Sequence, residues 1–324
     1  MEIPKSMLKI GENTIEIAFS NEYFNDGCGI HSYTDIDGAQ YVYTQCEPHW
    51  FNRVAPVFDQ PDLKGTFQLT AKAPSDWKVI SHQPITSCKD VESDMKLWKF
   101  PPTFPLSTYL YTIIVGPFKE IVCPEDKLYS NIPMSIFCRE TLYEFALKQQ
   151  IDIFEFTGNT IGRYEDLFGF NFPFKKSDTI FCPEYCTGAM ENPGCITYHE
   201  DYLYRHEPTD SEITERASTI NHELAHMWFG DLVTMKWWNN LWLNESFADF
   251  VCYVILDDQF GQMSFPIVNG WILFNQNKGP GYREDQLVTT HPIAAEVKDV
   301  HEAESIFDGI TYCKGAAVMR QLYA

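Results

Sequence analysis

The first third of the chain alternates apolar and polar residues in short runs. Ile15, Ile17 and Phe19 alternate with polar neighbours, which predicts a β-strand pair or meander over residues 8–20. Further runs rich in aromatic and β-branched residues predict strands at residues 41–45, 66–70, 78–81, 96–100 and 109–115. Turn-forming residues separate these runs. The pattern therefore predicts a β-rich domain over residues 1–123.

The rest of the chain changes to the period of α-helices. Apolar residues step by three and four over residues 142–167, which predicts a long helix ending at Gly169. Residues 209–212 read Thr-Asp-Ser-Glu, the form of a capping box, and predict the start of a second helix. Gly230 stands where a helix-ending glycine is expected. A third helix is predicted from near Asn244 to Gly261.

Shorter elements complete a second domain over residues 124–324. Strands are predicted at residues 132–137, at 178–182 and within 188–204. A helix is predicted over 264–275, then a loop over 278–299 that contains Gly-Pro-Gly, and a last helix from near Asp308. Strands and helices in this arrangement predict an α+β fold.

Composition and charge narrow the classes of partner. Lys and Arg number 24 against 45 Asp and Glu, a formal charge of −21, which argues against nucleic acid and anionic membranes. A negative field favours substrates that carry a free amine. The ten cysteines form no C-x-x-C pair, and the chain has no signal-length apolar segment and no run of eighteen apolar residues. These features predict a reduced, cytoplasmic protein with no membrane segment in this chain.

The strongest chemical signal is His222-Glu223-Leu224-Ala225-His226, an H-E-x-x-H pattern. Residues four apart share one face of a helix, so both imidazoles can reach one ion. Glu223 lies about 100° round the helix from His222, which suits a general base beside the ion better than a ligand. The alternative interpretation of the bare motif is a helix with two packed or solvated histidines.

Catalytic zinc usually takes three protein ligands, so a third must come from another part of the chain. Glu245 follows His226 after eighteen residues and lies near the start of the third predicted helix. The connection between the two helices can fold back so that Glu245 meets the histidines. The sequence therefore predicts a zinc site at His222, His226 and Glu245 that is built for peptide hydrolysis.

Three motifs in order resemble one family. The stretch from His222 to Phe250, the G-x-M-E-N motif at residues 188–192 and the Tyr-x-Lys-Gly segment at 312–315 are similar to those of the aminopeptidase N-type zinc metallopeptidases. These are gluzincin aminopeptidases, of which the puromycin-sensitive aminopeptidases are one kind. The resemblance runs from about Tyr41 to the end of the chain. It implies an N-terminal β-domain followed by a thermolysin-like catalytic domain, with zinc at the cleft between them.

The resemblance also implies that the chain is partial. The family's β-domain normally has about a hundred more residues at its start, and its catalytic domain continues beyond the tyrosine helix. We expect a first domain that lacks its first half and a catalytic domain truncated at its C-terminal end. The expectation that follows is a fragment able to bind metal but poorly stable, with weak or no turnover unless the absent segments are supplied.

The resemblance assigns roles to residues of this chain. One Zn²⁺ per chain is expected, with Glu223 as the catalytic base and Tyr312 as donor to the developing oxyanion. Peptides with a free N-terminus are the expected substrates. The implied substrate-binding residues are Gln45, Glu47, Gly188, Ala189, Met190, Glu191 and Asn192. Independently of the resemblance, Asp249 lies four residues after Glu245 on the same helical face. It is expected either to orient a zinc histidine or to be an exposed or helix-paired aspartate.

The function indicated is therefore a zinc-dependent aminopeptidase that removes single residues from the N-termini of peptides. One alternative is a zinc hydrolase of the leukotriene hydrolase branch. The G-A-M-E-N spelling and the context after His226 favour the aminopeptidase. The other alternative is a non-catalytic or inactive peptide-binding fragment, against which the complete set of zinc, base and tyrosine positions argues.

Overall fold

The computed structural model describes residues 3–127 and 130–323, and its first part is built of antiparallel strands. In chain order these are β1 (Gly29–Thr34), β2 (Gln40–Gln45), β3 (Gly65–Thr66), β4 (Thr70–Pro74), β5 (Lys78–Ile80), β6 (Ser87–Glu92), β7 (Met95–Lys99), β8 (Pro105–Leu106) and β9 (Ile114–Gly116). They form three sheets with the orders β1-β2-β9-β5, β4-β7-β6 and β3-β8. The predicted β-rich first part is confirmed.

The second part combines one five-stranded sheet with helices. Its strands are β10 (Lys119–Val122), β11 (Ser135–Cys138), β12 (Asp178–Cys182), β13 (Ala189–Met190) and β14 (Cys195–His199), in the order β10-β11-β12-β14-β13. The helices are α1 (Tyr143–Phe168), α2 (Asp210–His226), α3 (Leu241–Gln259), α4 (Gly270–Glu284), α5 (Val300–Glu304) and α6 (Gly315–Tyr323). The α+β class is confirmed, and the division at residues 123/124 stays a prediction. Among the described residues, no helix is long and apolar enough to cross a membrane.

Two long helices each have one end where the sequence predicts it. Helix α1 ends at Phe168, and Gly169 follows it in the left-handed conformation with φ 63°, which glycine adopts at low cost. Helix α2 begins after Thr209, whose hydroxyl accepts from the backbone N–H of Glu212. The Glu212 carboxylate in turn accepts from the backbone N–H of Thr209 at 2.8 Å. This reciprocal capping box fixes the start of the helix that carries the two motif histidines.

A buried polar network fixes how α2 lies between its neighbours. The side-chain oxygen of Asn221 accepts from the Thr160 hydroxyl of α1 at 2.5 Å, and its amide donates to Gln259 of α3 at 3.0 Å. The Tyr164 hydroxyl donates to the backbone carbonyl of Asn221 at 2.8 Å. Because Asn221 immediately precedes His222, this network sets the rotation of α2 that directs the motif histidine.

Polar and aromatic contacts hold the β-rich part against the second part. The Tyr43 hydroxyl, on β2, donates to the Pro183 carbonyl at 2.9 Å. Lys64 donates to the carbonyl of Asp231 at 2.8 Å. The buried rings of Tyr109 and Trp238 meet edge to face, with centroids 5.4 Å apart. These contacts place the end of β2 beside the helix pair α2 and α3.

The strand pair predicted over residues 8–20 is wrong. Within the described chain, this segment forms no strand, and the side chains of Ile15, Ile17 and Phe19 are exposed. Alternation stabilises a strand only where a neighbouring strand supplies hydrogen bonds and a core covers the apolar face. Neither is present for this segment among residues 3–127 and 130–323.

The helix predicted over 264–275 and the loop over 278–299 have the wrong bounds. Helix α4 begins at Gly270, after the Asn269 side chain caps it, and continues through Pro280 to Glu284. A Cβ on Gly281 would lie 3.2 Å from the Cβ of Cys313. The Gly-Pro-Gly sequence therefore permits a close helix contact instead of breaking the helix. Helix α5 begins at Val300, directly after the predicted loop.

The remaining predicted elements differ in accuracy. The structure confirms strands close to residues 41–45, 78–81, 96–100 and 178–182, and a last helical segment that begins just after Asp308. It shortens or divides those predicted at 66–70, 109–115, 132–137 and 188–204. In one of these, residues 108–110 form a buried 3₁₀ turn. Their apolar character reflects burial in the core, which a turn can satisfy as well as a strand.

A buried ion pair between α1 and α2 carries a stability prediction. Arg216, only 1% exposed, pairs with Asp152 and donates to Gln149 at 2.6 Å and to the Tyr202 carbonyl at 2.9 Å. Asp152→Ala leaves a buried guanidinium without its counter-charge. We expect a loss of about 3–5 kcal/mol in the free energy of unfolding, measured by urea denaturation.

The matched control is the exposed pair of Lys72 with Glu92. Lys72→Ala is expected to cost less than about 1 kcal/mol, because exposed pairs are weakened by solvent. Equal losses in the two variants would contradict a structural role for the buried pair.

Candidate metal centre

Helix α2 brings the two motif histidines together. The Nε2 atoms of His222 and His226 lie 3.0 Å apart. The Nδ1 atom of His226 lies 3.1 Å from the Phe229 carbonyl, which can only accept, so Nδ1 carries the proton. Its Nε2 is therefore left as an electron-pair donor, the form that binds a metal ion.

Helix α3 supplies the third side chain of the group, the carboxylate of Glu245. Oε2 of Glu245 lies 3.3 Å from Nε2 of His222 and 3.6 Å from Nε2 of His226. Its other oxygen accepts from the side-chain amide of Asn244 at 3.2 Å. The prediction that α3 starts near Asn244 is three residues late, because the helix begins at Leu241.

The connection between α2 and α3 depends on a glycine, but this glycine does not end a helix. Helix α2 ends at His226, and Gly230 lies beyond it in the turn with φ 142°. A Cβ on Gly230 would come within 2.6 Å of the Asn244 side chain. The predicted helix-ending role of Gly230 is therefore corrected: glycine is needed where the returning chain passes close to the ligand-bearing helix.

These three residues fit a zinc ion. Zinc–nitrogen and zinc–oxygen bonds of about 2.0–2.2 Å in a tetrahedral site place neighbouring ligand atoms about 3.3 Å apart. The three observed separations lie between 3.0 and 3.6 Å. All three side chains are wholly or largely buried, so the group forms a candidate metal site.

Three more carboxylates surround the candidate metal site. Glu47, Glu191 and Glu223 each keep one buried oxygen that has no hydrogen-bond partner within the described part of the chain. Burial and the neighbouring carboxylates raise the pKa of Glu47 well above its ordinary value, and burial raises the pKa of Glu191. Burial also raises the pKa of Glu223 to about 8. Such a concentration of carboxylates favours the binding of positively charged groups.

The β-rich part contributes Gln45 and Glu47 to this cluster. Gln45 ends β2, and its side-chain oxygen accepts from the Tyr185 hydroxyl at 2.7 Å. Its amide lies 3.6 Å from the sulfur of Met190. One oxygen each of Glu47, Glu191 and Glu245 lie within 4.8 Å of one another. Residues far apart in sequence therefore meet beside the candidate metal site.

The G-x-M-E-N segment forms the edge of the five-stranded sheet. Gly188 precedes strand β13, whose only partner in the described sheet is β14. The side chains of Met190 and Asn192 face inward, and Asn192 donates to Thr197 at 3.0 Å. Glu191 follows β13 directly, and its Oε1 lies 4.0 Å from His226.

Tyr312 lies in a π-helical segment, Ile310–Lys314, which α6 continues. Its ring stacks on that of His222, with centroids 6.1 Å apart and an angle of 22°. π-Helical turns recur at functional sites. A Cβ on Gly315 would overlap the hydroxyl of Ser246, the residue after Glu245. The Tyr-x-Lys-Gly motif therefore packs directly against the helix that carries Glu245.

Asp249 lies one helical turn beyond Glu245. It is within 4.8 Å of a ring nitrogen of His222, and it accepts from the side chain of Asn277 at 2.6 Å. Burial raises its pKa to about 6. Its role in orienting the histidine stays a prediction. The sequence did not single out Asn277, because its position on the face of α4 toward the cleft depends on the continuation of that helix beyond residue 275.

A cleft of about 890 Å³ opens over the carboxylates and the metal site. Among the predicted site residues, those that line it are Gln45, Glu47, Gly188, Ala189, His222, Glu223 and Tyr312. Of the other predicted residues, Glu191 and Glu245 lie near Glu47, His226 lies near Glu245, and Met190 contacts Gln45. Their individual catalytic and binding roles stay predictions.

The fold and the site together define a class. An α+β chain with H-E-x-x-H on one helix, and on the next a glutamate that meets both histidines, has the organisation of a zinc metallopeptidase. Residues 153–324 match the Peptidase family M1 domain, and residues 1–110 match the Peptidase M1 N-terminal domain. The chain belongs to peptidase family M1.

Curated relatives agree with this family. Aminopeptidase N of Streptomyces lividans is 43% identical over 316 residues, covering 97% of this chain and 36% of that protein. Aminopeptidase M1-A of Oryza sativa subsp. japonica is 34% identical over 326 residues, covering 98% and 35%. Tricorn protease-interacting factor F2 of Thermoplasma volcanium is 39% identical over 287 residues, covering 87% and 34%. The chain spans a little over a third of the length of these relatives.

Proposed function

We propose that the protein is a zinc aminopeptidase that releases single residues from the free N-termini of peptides. The observation that carries the proposal is the meeting of Glu47 and Glu191 with the His222, His226 and Glu245 group. Their unpartnered oxygens are buried, and a positively charged group beside them offsets the cost of burying the two carboxylates. The α-ammonium of a peptide supplies one, since its pKa of about 7.7–8.0 keeps much of it charged near neutral pH.

This arrangement makes the enzyme an exopeptidase. When the two glutamates bind the terminal ammonium, only the first peptide bond lies beside the metal ligands. A residue inside a chain has no ammonium, so it cannot compensate the charge of Glu47 and Glu191. One edge of β13, which carries Ala189, has no partner strand in the described sheet. This edge supports an extended substrate that adds to the sheet by backbone hydrogen bonds.

We assign the metal site to one zinc ion, held by His222, His226 and Glu245. When bound, zinc supplies a Lewis acid that polarises the scissile carbonyl. The Glu223 carboxylate accepts a proton from the attacking water and passes it to the leaving amine. The Tyr312 hydroxyl donates a hydrogen bond to the oxyanion that develops on the carbonyl oxygen.

The names of the relatives support the same activity. The proteins from Streptomyces lividans and Oryza sativa are named aminopeptidases. Together with the two glutamates that we assign to the ammonium, these names favour an aminopeptidase over a zinc hydrolase of the leukotriene hydrolase branch. They also favour it over a non-catalytic peptide-binding fragment.

Acetylation of the substrate tests the exopeptidase assignment. We expect a peptide with a free N-terminus to lose its first residue and its N-acetylated counterpart to be refused, because acetylation removes the charge that Glu47 and Glu191 bind. The measurement is product release followed by mass spectrometry. Glu191→Ala is expected to raise KM for the free peptide. Efficient cleavage of acetylated peptides at internal bonds would identify an endopeptidase instead.

A further inference from the structure

A second cluster of metal-binding side chains lies where the β-rich part meets α5. His49 comes from the β-rich part, two residues after Glu47, whereas His301 and Glu304 lie three residues apart on α5. One ligand atom from each lies within 4.8 Å of the other two. The rings of His49 and His301 are nearly perpendicular, with centroids 5.5 Å apart. None of these residues belongs to the H-E-x-x-H site.

His49 is the unusual member of this cluster. It is only 3% exposed, and neither ring nitrogen has a hydrogen-bond partner among residues 3–127 and 130–323. Burying an imidazole nitrogen without a partner costs free energy that a hydrogen bond or a metal ion would offset. The buried ring of His49 can therefore offer an electron pair to a metal ion, and no described residue forms a hydrogen bond with either ring nitrogen.

The separation of His49 from Glu304 fits two ligands of one ion. Nε2 of His49 lies 3.6 Å from Oε1 of Glu304, which is too long for a hydrogen bond. The same separation joins His226 to Glu245 in the first site. Two imidazoles and a carboxylate are donors that suit zinc and neighbouring transition-metal ions better than calcium or magnesium.

We propose that His49, His301 and Glu304 form a second cation site for a transition-metal ion such as Zn²⁺. The site differs from the first in exposure, because His301 and Glu304 are exposed whereas the ligands of the first are largely buried. We therefore expect it to bind more weakly and to fill only after the first site. Because Glu304 also lines the cleft, the bound ion links the chain segment after Glu47 to α5.

The test is a cobalt titration of the 324-residue chain whose first site already holds zinc. Co²⁺ bound by nitrogen and oxygen ligands absorbs visible light, and calorimetry gives the stoichiometry independently. We expect the wild-type chain to take up a further equivalent of Co²⁺ saturably. His301→Ala and Glu304→Gln should lose this uptake while keeping the zinc. Both positions are exposed, so the fold should tolerate the changes.

His206→Ala is the matched control, because His206 is an exposed histidine beside a glutamate, Glu212, elsewhere in the protein. It should keep the full uptake of Co²⁺. Unchanged uptake in His301→Ala would overturn the proposal. So would a wild-type chain that binds no further equivalent. If Glu304→Gln then lowers Tm, the cluster is a histidine–carboxylate ion pair and not a metal site.

Discussion

Glu223→Gln is expected to remove peptide turnover while the chain keeps its zinc. Glutamine has nearly the same shape as glutamate but cannot accept a proton. Burial raises the pKa of the Glu223 carboxyl above its ordinary value, which favours a group that takes up a proton during the reaction. Positioned general bases contribute about 10²–10⁴-fold to the rate, so we expect kcat to fall by a factor of at least about 10².

Metal content has to be measured beside kcat in this experiment. His226→Ala removes a ligand and is expected to lose both zinc and turnover, which separates binding of the metal from proton transfer. Glu144→Gln, an exposed position in the first turn of α1, is the control for a glutamate outside the cleft. Near-normal kcat in Glu223→Gln with zinc retained would show that another group moves the proton.

The metal site could be predicted because its information is local. The histidine spacing of four depends only on the helix period, and the capping box that starts α2 lies within four residues. Glu245 required one further assumption, that the chain between the helices folds back. Gly230 makes this return possible by leaving space for Asn244, a contact between residues fourteen positions apart.

The rest of the site depends on contacts that no local pattern reveals. Gln45 and Glu47 reach the cleft because β2 packs against the second part through Tyr43, and only the family resemblance indicated them beforehand. The approach of His49 to His301 joins residues about 250 positions apart and has no sequence signature.

The dependence on tertiary contacts also explains why the predictions for residues 279–281 and 8–20 are wrong. Gly-Pro-Gly at 279–281 indicates a loop by propensity, yet α4 continues through it because Gly281 packs closely against Cys313. Tertiary packing therefore outweighs the cost of placing these residues inside a helix, which relative to alanine is about 1 kcal/mol for glycine and about 3 kcal/mol for proline. At residues 8–20 the local pattern favours a strand, but tertiary contacts do not support one. No strand of the described chain pairs with this segment.

Tyr312→Phe is expected to slow the chemical step and to leave zinc content and folding unchanged. Phenylalanine keeps the ring that stacks on His222, so the packing of the metal site is preserved. The change removes only the hydroxyl, which we propose donates a hydrogen bond to the oxyanion. Loss of one such donor costs about 10²–10³ in kcat, or roughly 3–4 kcal/mol of transition-state stabilisation.

The division between kcat and KM decides whether Tyr312 acts in this way. A donor that strengthens only in the transition state lowers kcat and kcat/KM equally, whereas a residue that merely shapes the cleft raises KM. Tyr282→Phe, at a tyrosine 67% exposed on α4, shows what the loss of a hydroxyl does away from the cleft. If kcat stays unchanged in Tyr312→Phe with zinc in place, the ring serves only to pack against His222 and the oxyanion must be stabilised by other groups.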